Sequence, residues 1–145
     1  MSKFMQRCSD WPGRLDAFLA ANRAREFRYG SWDCFQFVCG AVFAMTAVDL
    51  AAPFPPYRSR FAYLRQMRRY CDSASLIAFA EKWLCSFGLA EVEVPRAGRG
   101  DLVLIGGIDP AFGLVALNGR AALVLSPAGE IVRTPLASAV AAWRI

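Results

Sequence analysis

The apolar period changes once along the chain, near Ala90, and that change restricts the fold more than any other feature. Before it, hydrophobic residues recur at helical spacing. After it they alternate or run in short blocks bounded by turn residues. Helices first and strands afterwards, with no long linker between them, predict an α+β fold with N-terminal helices packed on a C-terminal antiparallel sheet. With 145 residues, 56% of them hydrophobic, the chain can fill one core and not two, so a single domain spans 1–145.

Local signals place the elements. Trp11-Pro12 can open a helix, because proline tolerates a first-turn position whose amide has no partner. Leu15, Phe18 and Leu19 then share a face, and the run ends near Asn22. Asp33 can cap a second helix that buries Cys34, Val38, Val42 and Met45, with Phe35 and Phe37 widening the stripe. That helix should stop around Ala47, and "AAPFPP" follows as a loop, since proline removes amides and biases its neighbours to extended backbone. Ser59 can cap a helix carrying Phe61, Leu64 and Met67, and Ser73 or Ser75 opens another with Leu76, Phe79, Ala80 and Trp83 inward. In the second half, "AEVEV" alternates, "DLVLI" reads as an interior strand, and "GLVAL" and "AALVL" flank Asn118-Gly119, a two-residue hairpin signal. "EIVRTP" reads as the last strand, and a short segment closes with Trp143. Trp11, Trp32, Trp83 and Trp143 read as core or edge aromatics, whereas an exposed Trp32 beside Cys34 would mark a groove and a partner contact.

Several function classes are set aside at this stage. No run reaches the ~20 apolar residues of a membrane span. The opening "MSKFMQRCSDWPGRL" meets charges too early for a secretory signal, so synthesis in a cytoplasm is expected. Five cysteines without CxxC spacing argue against a disulfide framework and against a metal site. Gly106-Gly107 lacks any phosphate-binding pattern around it, so no cofactor is expected. The balance of 17 basic to 12 acidic residues gives +5, and Arg58, Arg60, Arg65, Arg68 and Arg69 gather in one stretch. They suit an acidic surface on a partner protein, or a solvated helix face, with nucleic acid the weaker reading, since Tyr57, Phe61, Tyr63 and Tyr70 are at least as ready to pack inward as to form an aromatic platform.

Cys34 is the candidate for chemistry. A thiol at a helix N-terminus can be acidified by unpaired amides, and a nucleophilic thiol also needs a base that returns a proton to the leaving group. The chain contains no histidine. Asp109 is a poor base by its ordinary pKa, and Asp33 beside Cys34 opposes a thiolate and suits a cap instead. The readings that stand are a small apolar residue held where helix meets sheet, which these points favour, a peptidase nucleophile, and a thiol reactive in acyl transfer or redox chemistry.

Four segments, "FRYGSWDCFQFV", "YRSRFAYLRQM", "AGRGDLVLI" and "AAWRI", resemble the NlpC/P60 cysteine-peptidase superfamily, and more closely its small phage-encoded relatives. The resemblance runs from residue 11 to 145 and implies a papain-like fold, with Cys34 on the nucleophile's position and Gly100-Asp101-Leu102-Val103 on the first core strand. It also places the position of the family's histidine on Ala111 or Gly113, and that of the third polar residue in "AALVLS", which is apolar until Ser126. The implied function is therefore a noncatalytic component of a phage tail, in assembly, at the tip or in the baseplate. It would be made in the host cytoplasm and built into the virion among other tail proteins, with the five arginines and Trp32 as contact residues. The alternative is a cysteine peptidase that uses Cys34 to cut peptidoglycan stem peptides during entry.

Overall fold

The computed structural model describes residues 5–145. Four helices come first: α1 (Trp11–Ala21), α2 (Cys34–Thr46), α3 (Arg60–Cys71) and α4 (Leu76–Ser86). Six strands follow: β1 (Glu91–Val92), β2 (Leu102–Ile105), β3 (Ala111–Val115), β4 (Ala121–Leu125), β5 (Ile131–Pro135) and β6 (Ala139–Trp143). They form one antiparallel sheet in the order β1-β6-β2-β3-β4-β5. The architecture is α+β, with helices against one face of the sheet.

Capping explains where the helices begin. Asp33, Ser59 and Ser75 each accept a hydrogen bond from the amide three residues on, so α2, α3 and α4 start where the sequence placed them. Helix α2 ends at Ala47, which adopts a left-handed conformation at φ 62°. It is the central helix and is buried on most sides, including Phe35, Phe37, Val38, Ala41, Val42 and Met45.

The main core lies between α2, α4 and the sheet. Phe35 has five aromatic neighbours there, Phe54, Tyr63, Phe79, Trp83 and Phe112, with ring centroids 4.8–6.4 Å away. Two buried indoles keep their N–H groups satisfied: Trp83 Nε1 donates to Leu50 O at 2.8 Å and Trp32 Nε1 to Gly129 O at 3.0 Å. On the opposite face of the sheet, Val103, Val115, Ala122 and Ala142 pack with Ala97 and Leu136, next to the short 3₁₀ turns Val94–Arg96 and Leu136–Ser138.

Three expectations change. The segment before Trp143 is a full strand, β6, and it lies inside the sheet between β1 and β2. The Asn118-Gly119 connection is longer than a two-residue turn: β3 ends at Val115, Ala116 N donates to Ala121 O at 2.8 Å, and Asn118 Oδ1 accepts from the amides of Arg120 and Ala121. In α3, Met67 is buried but Phe61 is 71% exposed and Leu64 45% exposed. The inward positions are Tyr63, Met67 and Tyr70, as expected of the two tyrosines, whereas Phe61 turns outward on the next face of the helix.

Candidate functional site

Cys34 is the first residue of α2, which packs against β3. The local frame is built around Asp33. Its Oδ1 accepts from Gln36 N at 2.8 Å; its Oδ2 accepts from Gly30 N at 2.8 Å and from the Tyr57 hydroxyl at 2.6 Å. The carboxylate is buried and both oxygens accept hydrogen bonds, so it fixes the start of the helix. Gly30 is required at this corner: its φ is 87°, and a Cβ would stand 1.8 Å from Tyr57 O.

Cys34 keeps some exposed surface, short of the full burial expected of it, yet desolvation of its thiol pushes it up to about 11, aided by the charges of Asp33 and Asp109 and opposed in part by the backbone amides of Phe112 and Phe35. Desolvation therefore outweighs the helix-terminal effect that favours a thiolate. Burial also raises the neighbouring phenols of Tyr57 and Tyr63, moving both further from neutrality. The Tyr63 hydroxyl is buried without a hydrogen-bond partner among the described residues.

Strand β3 explains why a base is missing on structural grounds as well as compositional ones. Side chains alternate across a sheet, and Phe112 and Leu114 belong to the core on the helix side, whereas Val115 belongs to the opposite layer. Ala111 and Gly113 share the parity of Val115, so the two positions that the resemblance aligns with a histidine face away from α2. At Gly113 a Cβ would come within 2.7 Å of Leu123 O, which leaves no room for any side chain. The residue turned towards α2 is Phe112, wedged against Trp83 at a centroid distance of 5.5 Å. Asp109 is exposed and lies 3.8 Å from Arg60. Ser126 Oγ accepts from Glu130 N at 3.1 Å and shapes the β4–β5 turn.

Residues 6–145 match the family described as "Domain of unknown function (DUF6950)". The chain belongs to this family. A search of curated proteins gave no match.

The other expected contact residues of the DUF6950 domain separate into two groups. Trp32 is 1% exposed and packs in the core, tilted against Phe18 and edge-on to Phe37, so it offers no surface to a partner. That correction follows from its indole reaching across to Gly129, a contact between distant parts of the chain that local sequence does not show. Arg58, Arg60, Arg65, Arg68 and Arg69 are all exposed, on α3 or just before it. A groove of about 360 Å³ lies between residues 53–57 and α3, with Arg65, Gln66 and Arg69 on its wall. A second, of about 380 Å³, lies on the other side of Arg65, lined by Phe61, Leu64, Met67, Arg68 and Ser73.

Two structural polar centres escaped the sequence reading. Tyr57 locks Asp33 from 24 residues away. Asp101, 2% exposed, accepts from Arg7 Nη2 at 2.7 Å, Ile145 N at 3.0 Å and Gly98 N at 2.9 Å. The Gly-Asp pair marked this turn, but nothing local announces its distant partners. All five cysteines are free, and no group of three or more His, Cys, Asp or Glu side chains among the described residues is placed to hold a metal ion. Among the described residues, no helix is long and apolar enough to cross a membrane.

Proposed function

We propose that this domain is a noncatalytic interaction component of a phage tail, built on a papain-like, NlpC/P60-type scaffold. The observation that carries the noncatalytic part is the setting of Cys34: a thiol pushed up to about 11, facing a strand that offers it Phe112 and no base. Acyl transfer from a peptide needs a thiolate to attack and a proton donor for the leaving amine. The side chains around Cys34 supply neither: Asp33 is spent on the cap, and the tyrosines hold their protons. The tail assignment is supported by the resemblance of the four segments quoted above. It implies synthesis in the host cytoplasm, assembly into the virion, and other tail proteins as partners. The exposed arginines on and beside α3 supply a contact surface of the kind such a role requires.

The test has two arms. Purified protein and its Cys34→Ala variant are incubated with isolated peptidoglycan, and the soluble muropeptides are identified by mass spectrometry. Both should match the buffer control; Cys34-dependent release of cut stem peptides would favour the peptidase alternative and sink the noncatalytic reading. Mass spectrometry of purified virions and of tail-assembly complexes should detect the chain in at least one, and its absence from both refutes the tail role.

A further inference from the structure

We infer that the outer face of α3 is a docking groove for an acidic, amphipathic segment of another protein; this deepens the interaction role proposed above and rests on that reading. Positions 61, 64, 65 and 68 follow helical spacing, so Phe61, Leu64, Arg65 and Arg68 form one stripe along the helix. The stripe turns away from Tyr63 and Tyr70, which pack on the core, borders Met67 at the floor of the groove, and is apolar at one end and cationic at the other. Arg65 lies over the Phe61 ring at 4.9 Å, so the two halves meet at a ring and a guanidinium. The groove of about 380 Å³ beside this stripe gives apolar side chains a place to enter.

Charge selects the occupant. Five of the chain's 17 basic residues lie at 58–69, and the other 12 equal its 12 acidic residues, so the net charge of +5 is the charge of this one segment. No Asp or Glu occurs between Asp49 and Asp72. Among the described residues only Arg60 of the five has an acidic partner, Asp109 at 3.8 Å. Arg68 and Arg69 lie in the last turn, where a helix favours cations, which accounts for two of the five. It does not account for the outward Phe61 and Leu64. A segment that alternates carboxylates with Leu- or Phe-like side chains satisfies both halves of the stripe, with charge-assisted bonds to Arg65 and Arg68 and burial over Phe61 and Leu64. A nucleic acid would use the arginines and leave Leu64 without a counterpart.

The probe is a library of short random peptides panned against the full chain, with winners synthesised and titrated by fluorescence anisotropy. Winners should be rich in Asp and Glu interleaved with large apolar residues, and their backbone amide shift changes should map to residues 58–74. The double reversal R65E/R68E should weaken them roughly 10-fold or more, whereas R120E/R133E, exposed arginines off this face, should not. Phe61→Ser should also weaken them with an unchanged thermal melt, and added salt should weaken them further. Winners without carboxylates, winners that map elsewhere, or no winners overturn the inference. So does a labelled DNA oligonucleotide that binds more tightly than the winners and is lost in R65E/R68E. Cys34-dependent muropeptide release with intact peptide binding would sink the noncatalytic reading alone; peptides that ignore α3 with an inert peptidoglycan assay would sink this inference alone.

Discussion

Asp33 carries more of the local structure than a helix cap does, since one carboxylate holds the Gly30 turn, the first turn of α2 and the Tyr57 hydroxyl together. Asp33→Ala strands two amides and a buried phenol, and should cost about 2–4 kcal/mol in urea denaturation. Asp33→Asn keeps the acceptor for Gln36 N and should cost less. The cap itself was legible in the sequence, because a side-chain cap acts within three residues. The Tyr57 contact was not, because it depends on how the proline-rich loop folds back. Cys34 gives a pH signature with a definite sign. Its folded value, about 11, lies above the ordinary 9.0, so the protonated thiol stabilises the fold below pH 9 and that contribution drains away as pH rises towards 11. At pH 10 the loss from this group is about 1 kcal/mol, so the drop in stability between pH 8 and pH 10 should shrink by that amount in Cys34→Ala, read from urea midpoints. In native protein near neutral pH, iodoacetamide should label exposed Cys85 first and Cys34 slowly, with mass mapping to assign the sites.

At the scale of elements, periodicity identified α1, α2 and α4 because each has one strong demand, to bury a continuous apolar face. Helix α3 has two stripes, and only the one through Tyr63, Met67 and Tyr70 meets the core. The sequence could not rank them, since Phe61 and Leu64 are as apolar as the residues that won. Strand β6 was missed for a different reason. "AVAAW" has little of the branched and aromatic content that marks strands, and its place comes from pairing on both edges with β1 and β2. Its burial pattern provides the check. Ala141 is 4% exposed and Val140 58%, so Ala141→Lys should unfold the domain or cost more than about 4 kcal/mol, whereas Val140→Lys should change stability by about 1 kcal/mol or less in thermal melts followed by circular dichroism.

Across the whole molecule, Asp101 and Arg7 together tie distant parts of the chain: Asp101 meets Arg7 before α1 and Ile145 beyond β6, and Arg7 also donates to Ile145 O and Arg99 O. Arg144 lies near the second carboxylate oxygen of Asp101 at 3.8 Å, so positive groups approach it from both sides. Asp101→Asn leaves Arg7 half-buried without its counter-charge and should cost about 3–5 kcal/mol, with urea unfolding as the measure. The fold class was readable from the order of helices and strands, whereas this latch was not, because separation along the chain hides it. The sheet order has a further consequence for biosynthesis. Strand β1 reaches the other strands only through β6, although it leaves the ribosome well before it. Until residues 139–143 emerge, β2 shows an unpaired edge and β1 has nowhere to pair. A translation pause at that point would expose the edge to neighbouring nascent copies on the same message, making the interval before β6 arrives the one in which a chaperone matters most.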